Sequence, residues 1–276
     1  MTAPAPYHHA PQGYVSPIPV RRAHLGDALA SEWTKIRSVR STMWTLGVTI
    51  LLMVGIGLGV AAIAAASEAP MGDEAALGFG FFGMLPASIC VITLGVLTIS
   101  SEYGTGMIRT TLTACPSRAR VLTAKAVVFF LLVFSLTTVI AALVAVAQVS
   151  IVDAAEPTAM EWLRATVGAG AYLALLGLLS MAIGTLVRHS AGAITVMIGV
   201  LLLPLVAAMF MFSESLRSVQ EFLLTYSIPS QMISLYSDAA PFGEDGPAGW
   251  EPLLIMFAVT AVVFGGAFAL LNKRDV

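Results

Sequence analysis

The sequence predicts an all-α membrane protein of six transmembrane helices with both termini on one side, and three observations carry that prediction. Hydrophobic residues make up 58% of the chain and charged residues 11%, with a mean hydropathy of +0.88, which is too apolar for a soluble domain of this length. Six apolar segments, 43–66, 77–100, 126–152, 168–187, 191–212 and 252–271, contain no Asp, Glu, Lys, Arg or His. Each reaches the roughly 20 residues that cross about 30 Å of hydrocarbon. The charges between them alternate in sign. Of 14 Lys and Arg, 12 fall with the N-terminus, the second and fourth connections and the C-terminus: Arg21, Arg22, Lys35, Arg37, Arg40, Arg109, Arg118, Arg120, Lys125, Arg188, Lys273 and Arg274. Only Arg164 and Arg217 fall on the other side, which holds 12 of the 16 acids. Positive charge marks the cytoplasmic side, so both termini are expected there. Trp33 and Trp44 then sit at the inner boundary, and Trp162 and Trp250 at the outer one.

Residues 1–24 read as a disordered cytoplasmic tail, with five prolines in the first twenty positions and no charge among them. No signal-peptide pattern occurs there. His8 and His9 are adjacent and have no companion ligands, so no metal site is expected. A single six-span transmembrane domain is expected over 25–276. A surface helix over 25–42 opens it, with Leu25, Leu29, Trp33 and Ile36 within roughly 80° of arc. Lys35, Arg37 and Arg40 suit anionic headgroups. Glu32 is the misfit, since its carboxylate projects inside the apolar arc. Two readings are open: a base from another segment meets it, or it pairs with Lys35 in water.

Within the spans, Gly55, Gly57, Gly59, Gly78, Gly80 and Gly83 offer small faces for close helix packing. Pro86 and Pro204 interrupt the second and fifth spans at matched depth from the outer side, where kinks would outline a gate. The connection from Ser213 to Glu251 is long and too apolar to be solvated. Phe222 and Tyr236 flank an expected break at Pro229, which predicts two short helices re-entering the outer leaflet. Cys90 and Cys115 are expected on different sides of a headgroup boundary, as unpaired thiols.

The densest polar stretch is Ser100 to Lys125, with Arg109, Arg118, Arg120 and Lys125 against the single acid Glu102. Gly104 and Gly106 are expected to end the preceding helix, leaving a basic loop that serves either as a docking surface or as a topology signal.

The runs SEWTKIRSVRST (31–42), SEYGTGMIRTTL (101–112) and PSRARVLTAK (116–125) together resemble the permease subunit of type-2 ATP-binding-cassette transporters, in the bacterial six-span subfamily. The resemblance covers nearly the whole chain and implies a multi-pass protein of the bacterial plasma membrane. It implies that the surface helix and the loop after span two contact a separate ATPase subunit, with Glu32, Glu102, Arg109, Pro116, Arg118, Arg120 and Lys125 as the coupling surface. Gly104-Thr105-Gly106 departs from the bulkier or basic residue expected after the tyrosine. The resemblance further implies two permease copies, as homodimer or heterodimer, two ATPases, and export as the direction.

No G-x-x-x-x-G-K-[ST] loop occurs, so ATP and Mg are expected on the partner ATPase and no cofactor on this chain. The chain itself is read as a transport subunit and not as an enzyme. A proton-coupled carrier would need ionisable residues within the spans, and an intramembrane hydrolase would need an H-E-x-x-H or G-x-S-x-G pattern; neither occurs. A non-transporting membrane assembly or sensor protein stays open as the alternative. The lipid bilayer is an expected partner and nucleic acid is not. Charge-free spans suggest an apolar or amphipathic cargo, although Thr93, Thr98 and Gln148 offer polar groups to a polar one.

Overall fold

The structure, a computed structural model, describes residues 24–67, 76–115, 117–237 and 246–273. Helices dominate, and no strand occurs among the described residues. They are α1 (Leu25–Ser38), α2 (Arg40–Ala66), a 3-10 turn (Ala76–Phe79), α3 (Gly80–Gly104), α4 (Met107–Ala114), α5 (Arg118–Ile151), α6 (Ala159–Leu163), a π turn (Arg164–Gly168), α7 (Ala169–Val187), α8 (Ser190–Met209), a 3-10 turn (Glu214–Leu216), α9 (Arg217–Tyr226), α10 (Ile228–Ile233) and α11 (Glu251–Lys273). Six helical runs are long and apolar enough to cross a membrane: 40–66, 76–104, 118–151, 159–187, 190–209 and 251–270. They match the six predicted segments.

Local chemistry places the helix ends. The His24 backbone N–H donates to Asp27 Oδ2 at 2.9 Å, and Lys35 and Arg37 lie in the last turn of α1, so both ends complement the helix dipole. Val39 then adopts extended angles, with φ −86° and ψ 112°. The surface helix therefore ends at Ser38 and not at 42, and the first span begins at Arg40. Thr158 and Glu161 form a reciprocal capping box that starts α6.

The fourth span is the axis of the bundle. Its most apolar window is 72% buried, against 22%, 22% and 17% for the first, fifth and sixth spans, which surround it or lie at the edge. Backbone-to-backbone approach makes that possible. A Cβ at Gly95 of α3 would fall on the carbonyl oxygen of Gly177 of α7, and one at Gly83 would lie 2.6 Å from the Met53 carbonyl oxygen of α2. Of the six glycines predicted to pack, Gly57, Gly80 and Gly83 meet neighbouring helices or side chains. Gly55 and Gly59 meet nothing within 4 Å, because α2 turns much of its circumference away from the bundle, and Gly78, in the 3-10 turn before α3, likewise meets nothing.

Three further expectations are corrected. The stretch 100–125 is mostly helical: α3 runs through Gly104, Gly106 turns the chain at φ 72°, and α4 and the start of α5 take up most of the remainder. At 34 residues α5 is about 51 Å long, roughly 20 Å more than the hydrocarbon needs, so helix formation simply continues outside the apolar segment. The break in the outer connection falls at Ser227, extended at ψ 148°, and not at Pro229. Proline occupies the first turn of α10 instead, where its missing N–H costs nothing. Of the two short helices only α10 is covered, whereas no residue of α9 is buried and Phe222 is 61% exposed. The two expected short helices are thus present, but only α10 has buried residues.

Replacing Gly95 by Ala should cost about 1–3 kcal/mol by overpacking, whereas Gly55→Ala should stay within about 0.5 kcal/mol of the parent. Melting of the two variants in detergent checks the contrast, and equal midpoints would contradict the close α3–α7 contact.

Candidate functional site: a buried charge cluster

Four side chains from three helices meet at one end of the bundle. Lys125 Nζ, in the second turn of α5, lies 2.7 Å from Glu32 Oε2 and 2.9 Å from Glu102 Oε1. Lys35 Nζ lies 2.8 Å from Glu32 Oε1 and 2.8 Å from Glu102 Oε1. Glu32 and Lys35 stand one turn apart on α1, and Glu102 occupies the last turn of α3. Glu32, Glu102 and Lys125 are 5%, 4% and 2% exposed. Two carboxylates and two ammonium groups make the cluster formally neutral. Neutrality is what allows four charges to leave water together.

Glu32 meets a base from another segment, Lys125, as the first reading expects; it also pairs with Lys35 on its own helix, but buried and not in water as the second reading had it. Lys35 was assigned to headgroups from its helical position, and the structure turns it into the cluster instead. The reason is length: its four-carbon stem lets the ammonium reach around the helix edge to both carboxylates. Burial is the largest single influence on Lys35 and works to lower its pKa. The hydrogen bonds that Lys35 donates to Glu102 and Glu32, with the charges of those carboxylates, outweigh it and leave the pKa raised.

Beside the cluster, Arg188 stacks over the Tyr103 ring at 5.1 Å. Arg188 ends α7 in the left-handed conformation, at φ 57°. A cleft of about 350 Å³ opens between α1, α4 and α5, with Glu32 and Lys35 among its walls and Met107, Thr110, Thr111 and Cys115 facing them. Cys90 and Cys115 are both free thiols.

The other predicted site residues are dispersed. Arg109 is exposed on α4, while Arg118 and Arg120 are half-buried in the first turn of α5, where Ser117 Oγ accepts the Arg120 N–H at 3.4 Å. Pro116 lies outside the described residues. Pro86 and Pro204 sit inside α3 and α8, each nearer the end away from the charge cluster. At that end Tyr236 is buried against Gly80 and donates its hydroxyl to Met84 Sδ at 3.5 Å. The groups singled out for polar cargo are occupied within the bundle. Thr93 and Thr98 return their hydroxyls to the Ile89 and Leu94 carbonyls, and Gln148 Nε2 donates to the Gly57 carbonyl at 3.1 Å. Sequence reasoning missed Arg164, counted only as an outer-side charge but 2% exposed.

Removing one member of the cluster leaves an uncompensated buried charge. Lys125→Met should therefore cost about 3–5 kcal/mol, and the Lys125→Met/Glu102→Gln double variant should cost clearly less than the sum of the singles. Additive losses in denaturant or thermal melts would show that the four groups do not act as a unit. For Lys35 the folded-state pKa exceeds the unfolded value. Its contribution is then complete below about pH 10.5 and is lost as pH rises through the raised value. A melt series should be flat in this respect from pH 7 to 9 and fall only in the alkaline range.

The model of the family described as ABC-2 family transporter protein matches residues 28–203, a stretch that contains all four members of the cluster, the cleft and the first four spans. No curated protein matches the chain. With well over half of the sequence inside the family match and six apolar helices in the structure, the chain belongs to the ABC-2 transporter family, as a membrane-embedded transport protein.

Proposed function

We propose that this chain is the permease subunit of an ATP-driven exporter, forming its pathway with a second permease copy and driven by a separate ATPase that binds ATP and Mg. The observation that carries the reading is the charge cluster beneath an exposed α4. It ties α1 to the adjoining ends of α3 and α5, so a load applied to α1 or α4 is delivered directly to two spans. The cleft between α1 and α4 supplies the docking position, with Arg109 on its exposed helix as a cationic contact. Arg118 and Arg120 support the same reading, because cations at a helix N-terminus oppose the dipole by about 0.3–1 kcal/mol and so are not placed there for helix stability.

The charge distribution supports an orientation with both termini, the cluster and the cleft on the cytoplasmic side, and the resemblance of the three polar runs to bacterial six-span permeases supports a bacterial plasma membrane as the location. Pro86 and Pro204 then kink two spans toward the outer side as gate elements, and α9 and α10 form the outer re-entrant segment. An apolar or amphipathic cargo suits spans in which Thr93, Thr98 and Gln148 already bond to backbone carbonyls of the protein.

Arg109→Glu should leave membrane abundance unchanged while weakening copurification with the partner ATPase by about tenfold or more, the size of a lost charge-assisted hydrogen bond. Normal abundance together with undiminished copurification and efflux would remove Arg109 from the docking surface. In a cysteine-free background, an impermeant thiol reagent should label position 156 in intact cells and position 109 only after permeabilisation. Labelling of position 109 from outside would reverse the orientation.

A further inference from the structure

Arg164 is the largest fully buried side chain among the described residues, and it is charged. It begins the π turn that joins α6 to α7, at the end of the bundle opposite the charge cluster. Its Nη1 donates to the Ser237 carbonyl, a long contact at 3.4 Å, four residues past the end of α10 at Ile233. The same Nη1 lies beside Gly249, close enough that a Cβ added there would come within 3.5 Å of it, and φ at Gly249 is 61°. The adjoining Trp250 ring covers Gly168, at 3.3 Å from a Cβ there, and its Nε1 lies 3.3 Å from Met160 Sδ. The chain therefore passes Ser237 after α10 and enters α11 through Gly249 and Trp250, and both points lie beside one guanidinium carried by the π turn that opens the fourth span. A planar group with donors along two edges can hold two backbone segments at once, which a point-like ammonium cannot.

We infer that Arg164 is a positioning residue, which staples α10 and the entry of α11 to the fourth span so that these pieces travel with α7 as one body. The other end of α7 carries Arg188 over Tyr103, beside the charge cluster. The fourth span thus has a cationic anchor at each end, and the π turn, a one-residue widening of the kind that often marks functional positions, aims the outer one inward. This inference goes beyond the proposed docking of an ATPase and stands whichever partner occupies the cleft. The ligand in the argument is the protein's own backbone.

Hydrogen exchange of the full-length protein in lipid nanodiscs tests it, read as peptides covering 228–237, 249–256 and the α3–α7 core. Arg164→Gln should speed exchange of the first two regions by about tenfold or more while leaving the core unchanged. Arg164→Lys should restore protection of 228–237, because an ammonium still reaches the Ser237 carbonyl, but not of 249–256, where the flat contact is lost. Gly249→Val, with Arg164 intact, should release 249–256 through the strained φ and the contact it disturbs, and so provides a second route if Arg164→Gln does not accumulate. Unchanged exchange at 228–237 in Arg164→Gln would overturn the inference, as would an equal acceleration across all three regions, which would make Arg164 a general stability residue.

Discussion

The cost of taking charge out of water governs this fold. Glu32, Glu102 and Lys125 are buried where α1 meets α3 and α5, with Lys35 half-buried at their edge, and the charges are tolerable there only because two positive and two negative ones arrive together within 3 Å of one another. The arrangement is demanding in geometry, since Glu102 Oε1 serves both ammonium groups. Apolar contacts alone would let a short amphipathic helix slide along the bundle. Directional ion pairs give α1 one register, in the manner of a buried polar pair that specifies one arrangement.

The second constraint is steric. In a bilayer the hydrophobic effect does not drive helices together, so close approach and dispersion must. The α3–α7 contact meets this demand at Gly95 and Gly177, and the α2–α3 contact at Gly83. With α7 enclosed by this packing, the first, fifth and sixth spans expose long apolar faces, including Leu203, Phe257 and Val262. These suit lipid or a second subunit.

Much of this was legible in the sequence. All six spans were visible as charge-free apolar runs, and Glu32 was visible as a carboxylate on the wrong face of a helix, which pointed to a partner from elsewhere. Lys125 could not be singled out, because it is one of four basic residues in its stretch and only the three-dimensional return of α5 selects it. Lys35 was misassigned because helical position reports where a side chain leaves the backbone and not where a long stem ends. Arg164 escaped notice for a related reason: a cation near a span end reads as a topology signal, and nothing local shows that two distant backbone segments converge on it. The break at Ser227 was displaced onto Pro229, since proline marks both breaks and first turns.

The length of α5 has a mechanical meaning. From Lys125 in the charge cluster to Gln148 on the Gly57 carbonyl, it is one uninterrupted helix without proline, glycine or a change of helical type. That distance is about 35 Å. A rod of this kind has no joint at which motion can be absorbed. Tilting it by about 5° around its midpoint would carry its two anchored ends roughly 1.5 Å in opposite directions, enough to strain a hydrogen bond at one end as soon as an ion pair shifts at the other.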